Sequence, residues 1–148
     1  MAGTPEWWLQ LRAEAVVTPH PGEMSRLTGM DSVQINSDRL GVARRSAAQW
    51  KKVVALKGAY TAVVAPDGQA LVNPFANPGL ATAGTGDVLA GAIAGLMAQG
   101  LSPFDAAVCG VYLHGAAGER VREDLGEAGM MAGDLLPELP RAIRRLRG

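Results

Sequence analysis

Between Asn73 and Gly100 the chain passes from a loop of glycine, proline and asparagine into an apolar helix, joined at Gly84-Thr85-Gly86-Asp87. The pattern predicts that helix from Asp87 to about Gln99, with Gly100 as its stop. Ala90, Gly91, Ala94 and Gly95 leave it little side-chain bulk, which suits close packing against a sheet or another helix. The two glycines at its start let the backbone approach a ligand closely. The helix N-terminus adds free N–H groups and the positive end of a dipole. That is an anion site suited to a phosphate, and Asp87 at its mouth either stabilises the helix or acts as a base beside the bound anion. Taken alone, the pattern fits an ordinary glycine-rich helix start as well as it fits a ligand site.

Upstream, Glu14–Thr18 reads as a short buried strand stopped by the turn Pro19-His20-Pro21-Gly22. Glu23–Thr28 reads as a short helix ending at Gly29. Ser37 is the expected N-cap of a longer helix to about Lys51, along which Leu40, Ala43, Ala47 and Trp50 recur at helical spacing. Three β-type runs follow, Val53–Lys57, Thr61–Ala65 and Ala70–Val72, with Pro66-Asp67-Gly68 marking a hairpin. Downstream, Ser102-Pro103-Phe104-Asp105 is a well-formed helix start, and that helix is predicted to run to Asp124. A last helix from about Gly133 ends in Arg141, Arg144, Arg145 and Arg147, which complement its dipole. Strands alternating with helices, with one hairpin among them, indicate a layered α/β domain. About four strands are readable, fewer than a doubly wound sheet normally has, so the pattern suggests part of a larger domain.

Composition narrows the partners. The chain has 148 residues, 48% of them hydrophobic and 19% charged, with a formal net charge of zero. A balanced charge gives no electrostatic reason to expect nucleic acid or an anionic membrane. No apolar run approaches the roughly 18 residues that span a bilayer, and the N-terminus lacks the basic-then-apolar order of a signal peptide. A cytoplasmic enzyme is the expectation. The single cysteine, Cys109, excludes an internal disulfide, and its apolar neighbours predict an inert buried thiol. The two histidines lie far apart in sequence, against a histidine-based zinc site, and no metal-ligating residues are assigned. His114 is expected to pack or to tether a polar group, and Trp7, Trp8 and Trp50 to pack in or beside the core.

Three further segments carry chemistry. Thr18-Pro19-His20-Pro21-Gly22-Glu23 holds His20 between two prolines directly after a strand, where α/β folds place ligands. A plain proline-capped turn is the competing reading. Lys57-Gly58-Ala59-Tyr60-Thr61 flanks a glycine turn with a lysine and a threonine, fitting nucleotide phosphates or a base pocket, or an ordinary β-turn. Asn77-Pro78-Gly79-Leu80-Ala81-Thr82 leads into the glycine turn and could close over a ligand there.

In order, TPHPGEMSRLTG, LKGAYT, NPGLATAGTGDVLAGAIAGLMAQG and AAVCGVYLHGAAGE resemble the NAD(P)H-hydrate dehydratases, nicotinamide-nucleotide repair enzymes of the ribokinase-like superfamily. The resemblance runs from about Pro5 to about Arg145. It implies that His20 binds the hydrated nicotinamide nucleotide and that Lys57, Gly58, Ala59, Tyr60, Thr61 and Gly86 line an adenine nucleotide site. It also implies that Asp87 reaches the substrate and is the catalytic acid/base group. The implied cofactors are ADP or ATP with Mg2+, and the implied reaction is loss of water from hydrated NADH or NADPH.

The fold expected is then a ribokinase-like layered α/β domain, C-terminal portion only, with part of the central sheet missing. Residues 1–148 would form a single partial dehydratase domain. The family's front half and the epimerase domain often fused before it have no counterpart in the sequence, so an exposed apolar sheet edge and poor independent folding are expected. The complete protein is expected to form a homo-oligomer. Two other functions stay open: a small-molecule kinase of the same superfamily, sharing the glycine turn and its aspartate, and a nucleotide-binding fragment without turnover.

Overall fold

The structure is a computed structural model that describes Thr4 and residues 6–148, so that Met1 to Gly3 and Pro5 lie outside the described residues. The chain divides into two compact units, one up to Val72 and one from Asn73 to Gly148.

The first unit runs α1 (Trp7–Gln10), β1 (Val16–Val17), α2 (Pro21–Thr28), α3 (Ser32–Ser37), α4 (Arg39–Trp50), β2 (Val53–Leu56), β3 (Ala62–Val64) and β4 (Ala70–Val72). Its sheet has the order β1-β2-β3-β4. β1 pairs with β2 in parallel, Val16 opposite Val53, and β2, β3 and β4 follow as an antiparallel meander. The β3–β4 turn is the expected one: Gly68 takes a left-handed φ of 92°, and Ala65 N–H bonds to Gln69 O. Every residue of β2 is buried, as suits a strand covered on both faces. Met24, Ile35, Val42, Ala47, Trp50 and Leu56 form the core. Trp7 packs edge-on to Trp8 at 5.9 Å and against Trp50 at 5.3 Å, so the tryptophans pack as expected.

Several boundaries differ from the sequence reading. The strand expected over Glu14–Thr18 contracts to two half-buried valines. Its flanks still accept single bonds, Ala15 O from Val53 N–H and Pro19 O from Lys57 N–H, but Pro19 has no N–H to continue a ladder. The next helix begins at Pro21 rather than Glu23, because proline is tolerated at a first helical position. Gly29 ends it in a left-handed conformation. Ser37 is not the cap of the long helix. It closes the unexpected α3, its hydroxyl donating to Gln34 O, and the Asp38 carboxylate accepts from Gly41 N–H instead.

The second unit contains a 3-10 turn at Pro78–Ala81, then α5 (Thr85–Ala98), α6 (Pro103–Leu125), α7 (Ala132–Leu135) and α8 (Glu138–Arg147). α5 starts at Thr85, two residues before the expected Asp87. Ser102 caps α6, accepting from Asp105 N–H at 3.1 Å. The single final helix expected is two, divided at Leu136 and Pro137, where proline cannot donate to a continuing ladder. Arg144, Arg145 and Arg147 occupy the last turn of α8, while Arg120 and Arg141 both bond to the buried Glu138 carboxylate.

Cys109 is exposed, correcting the expectation of a buried thiol. The buried face of α6 carries Ala106, Ala107, Gly110, Val111, Leu113 and His114, and Cys109 with Tyr112 falls outside it. Leu71 and Val72 on the edge strand β4 are 42% and 50% exposed. No helix among the described residues is long and apolar enough to cross a membrane.

A Cβ on Gly110 would lie 2.5 Å from Cγ1 of Ile93 in α5, whereas one on Gly91 would meet nothing within 4 Å. Gly110→Ala is therefore expected to destabilise the chain by about 1–3 kcal/mol through overpacking. Gly91→Ala should stabilise it by roughly 0.5–1 kcal/mol through helix entropy. Urea unfolding of both variants checks the pair, and equal shifts would show that α5 and α6 do not pack at Gly110.

Candidate functional site

In the first unit the site residues gather where the parallel strands end. Pro19, just past β1, accepts a 2.8 Å hydrogen bond from Lys57 N–H, just past β2. This stitch sets the HPGE segment beside the lysine turn, at the carboxyl ends of parallel strands, where open α/β sheets bind ligands. His20 caps α2 with its ring: Nδ1 accepts from Gly22 N–H at 3.1 Å and from Glu23 N–H at 3.2 Å. Glu23 closes the box, its Oε2 accepting from His20 N–H at 2.8 Å. The same carboxylate lies 3.5 Å from Lys57 Nζ and 3.5 Å from His20 Nε2. Partial burial pushes the Glu23 carboxyl up. The His20 N–H, the Lys57 ammonium and the His20 ring together outweigh that and hold it below its ordinary value of 4.5.

The Lys57–Thr61 turn is shaped from a distance. Arg39, at the start of α4, donates from Nη2 to the carbonyls of Leu56 and Lys57, each at 3.0 Å. Its guanidinium passes so close to Gly58 that a Cβ there would sit 2.8 Å from it, and Gly58 has a φ of 144°. Only glycine combines that backbone with that approach. Tyr60 also has a positive φ, 56°, and is exposed, while the Thr61 hydroxyl donates to Gly58 O at 3.0 Å. Gly58, Ala59 and Tyr60 thus present an exposed, pinned turn. Partial burial lowers the pKa of the Arg39 guanidinium from its ordinary value. Glu23 and Arg39 are the residues that sequence reasoning passed over as site components. The capping-box spacing of His20 and Glu23 could have found the first, but nothing local announces an arginine that acts 17 residues away.

In the second unit the glycine turn is an open helix start. Gly84 takes a left-handed φ of 87° and provides no side-chain cap to α5. Thr85 is buried, its Oγ1 bonding to Leu80 O at 2.6 Å and Thr82 O at 2.8 Å. The buried His114 of α6 places Nε2 2.9 Å from Thr85 O, the polar tether expected of it. Asn77 sets the 3-10 turn by accepting from Gly79 N–H at 2.9 Å. No bond from the Gly86 N–H is formed among the described residues. Asp87, in the first turn and exposed, makes no hydrogen bond or ion pair through its carboxylate there either. A free amide and a free carboxylate therefore stand side by side on one helix turn. His20 and Lys57–Thr61 belong to the first unit, Gly86 and Asp87 to the second, and each set is built within its own unit. Among the described residues no group of three or more His, Cys, Asp or Glu side chains is placed to hold a metal ion.

A layered α/β chain with a glycine-rich turn opening a helix and an aspartate in its first turn is of the ribokinase-like class. Its backbone matches a ribokinase-like superfamily protein of Enterococcus faecalis with a TM-score of 0.73 at 32% identity, over 88% of this chain and 44% of that one. The relation is closer still to one family. A sequence profile described as NAD(P)H-hydrate dehydratase matches residues 4–141, and the chain belongs to that family. It is 55% identical to the bifunctional NAD(P)H-hydrate repair enzyme Nnr of Moorella thermoacetica, over 88% of this chain and 25% of that protein. Against the ADP-dependent (S)-NAD(P)H-hydrate dehydratase of Neisseria meningitidis it is 46% identical, over 82% of this chain and 42% of that one. The crystal structure of the ADP/ATP-dependent NAD(P)H-hydrate dehydratase from Bacillus subtilis, co-crystallised with ATP/Mg2+ and soaked with CoA, matches with a TM-score of 0.85 and 38% identity, over 89% of this chain and 49% of that one. The chain thus spans between a quarter and a half of the length of these relatives.

The lowered Glu23 pKa has a consequence for acid stability. A carboxyl held below its unfolded value contributes stability that is complete above that value and disappears as the pH falls through the folded one. Glu23→Gln keeps an acceptor for the His20 N–H and removes only the charge. The variant should be less stable than the parent at neutral pH, with the gap closing as the pH drops below 4.5. Denaturant unfolding across acid pH measures this, and a gap independent of pH would remove Glu23 from the ion pair.

Proposed function

We propose that the chain carries the nucleotide-binding and catalytic portion of an NAD(P)H-hydrate dehydratase, acting in the ADP- or ATP-dependent loss of water from the S-hydrate of NADH or NADPH. The observation that carries this reading is the Asp87 carboxylate, unpaired among the described residues, beside the open Gly86 amide at the start of α5. Family membership over residues 4–141 supplies the chemical context. An unpaired carboxylate is free to move a proton, and a helix start without a side-chain cap receives anionic oxygen directly on its amides.

Loss of water from a reduced, hydrated ring needs a proton taken from carbon and help for a departing hydroxyl. Asp87 is assigned the proton-moving role. The Gly86 N–H in the second unit is assigned to adenine nucleotide binding through a phosphate oxygen, and the pinned turn Lys57–Thr61 in the first unit to adenine nucleotide binding as well. His20 is assigned to the hydrated nicotinamide nucleotide. The nucleotide supplies the driving force for water loss when bound. The residues fit such a group: Gly84 gives α5 no side-chain cap, and the Gly86 N–H has no acceptor among the described residues. Mg2+ keeps most of its ligands as water and phosphate oxygen, so it would be held chiefly by the nucleotide, and no metal-ligating residue of this chain is assigned. Residues 1–148 would act as one partial domain in a cytoplasmic homo-oligomer.

The test is conversion of the S-hydrate to NADH, followed by the return of its near-ultraviolet absorbance, with ADP or ATP present. Asp87→Asn should lower the rate by roughly 10²–10⁴-fold, the range of a positioned acid/base group. Equal rates in the two proteins would remove Asp87 from catalysis. Stoichiometric phosphorylation of an added alcohol, with no dehydration, would make the protein a kinase instead. Nucleotide-dependent thermal stabilisation without either reaction would leave a binding module.

A further inference from the structure

We propose that His20 is a fixed hydrogen-bond donor to an oxygen of the bound substrate, and that it is not a proton-accepting base. A neutral imidazole has one nitrogen with a free lone pair and one that carries a proton. In His20 the lone pair is already used: Nδ1 accepts from both Gly22 N–H and Glu23 N–H. The ring proton is therefore on Nε2. The Glu23 carboxylate 3.5 Å from Nε2 lies on the side where a donor is wanted. The side chain is 50% exposed, so the Nε2–H is open to a ligand.

The choice of residue points the same way. Helix N-caps are ordinarily Ser, Thr, Asp or Asn, any of which would satisfy the first amides of α2. Ser, Thr and Asp have no side-chain N–H, and asparagine carries its amide N–H beside the capping oxygen, whereas histidine places its N–H across a rigid ring from the capping nitrogen. Gly22 contributes by leaving room: a Cβ there would sit 3.1 Å from Cε1 and 3.3 Å from Nδ1, so a side chain would push the ring off its amides. Pro21 at the first helical position keeps the backbone that aims the ring. Lys57 Nζ flanks the same carboxylate from the other side, giving two donors around Glu23 for an oxygen-rich ligand. The proposal rests on the assignment of His20 to the substrate site.

The donor state can be read without turnover. Long-range proton–nitrogen NMR of the ring-labelled chain at neutral pH should show Nδ1 unprotonated and Nε2 protonated, favoured by roughly thirty-fold through its two amide bonds. A protonated Nδ1, or a ring averaged between the two tautomers, would overturn the proposal. Kinetics supply a second reading through His20→Ser, since serine is a good N-cap with no side-chain N–H. That variant should melt like the parent and show a KM for the hydrate raised roughly five- to twenty-fold, with kcat little changed. A collapse of kcat at unaltered KM would make His20 the proton acceptor. If neither protein converts the hydrate, the functional reading fails by itself, and the ring spectrum still decides the donor assignment.

Discussion

An α-helix leaves its first amides without acceptors, and the way this chain treats those amides organises the rest of its structure. In α2, α3, α4 and α6 a side chain accepts from them: His20, Asp31, Asp38 and Ser102. α8 instead follows residues already in helical conformation, Leu136 and Pro137. α5 begins on Gly84, which has no side chain to offer. Its first turn is then held by other means: Thr85 N–H bonds to Thr82 O, Asp87 N–H to Gly84 O, and the Thr85 hydroxyl to Leu80 O and Thr82 O. What is left over is the Gly86 amide. The turn is rigid and still open, which is the combination an anion site needs.

The first unit solves a different problem with the same tools. A capped helix end would be enough for stability, but here the cap is tied into a charged group. His20, Glu23 and Lys57 come from two segments more than thirty residues apart, joined by the bond from Lys57 N–H to Pro19 O. Arg39 then fixes the two carbonyls that end β2, so the turn after Lys57 starts from a defined direction. The exposed Gly58 is fitted against the Arg39 guanidinium, with its carbonyl bonded by the Thr61 hydroxyl.

Local chemistry made much of this legible. Ser102-Pro103 announced α6, Gly29 and Gly100 announced two helix ends, and Pro66-Asp67-Gly68 announced the β3–β4 hairpin, each through a conformational preference of a few adjacent residues. The family strings marked His20, Lys57–Thr61, Gly86 and Asp87 as the segments to follow. The misreadings arose where neighbours compete. Asn36, Ser37 and Asp38 are all good caps, and the carboxylate won once the Ser37 hydroxyl donated to Gln34. Cys109 has apolar neighbours in sequence, yet the face of α6 that is buried passes it by, a distinction carried by helical period rather than by local hydropathy. Arg39 was illegible for a deeper reason, since its effect on Gly58 requires the fold to exist first.

The geometry of the α5 start is set less by its own residues than by α6. Three glycines of α6 each receive one neighbour at a distance that no Cβ would allow: Gly110 receives Ile93 of α5, Gly115 receives Phe75, and Gly118 receives Leu80 of the 3-10 turn. His114 lies among them and reaches Thr85 O. The helix thus fixes three points around the Gly84–Asp87 turn: the body of α5 that follows it, the loop that leads into it, and the carbonyl at its first residue. Close packing makes such contacts stiff, because a shift of a few tenths of an ångström at a glycine is resisted by the neighbour on it. The unpaired amide and carboxylate of Gly86 and Asp87 can therefore stay open without the turn collapsing on them. On this basis the glycines and the histidine of α6, none of which carries chemistry of its own, decide where Asp87 stands.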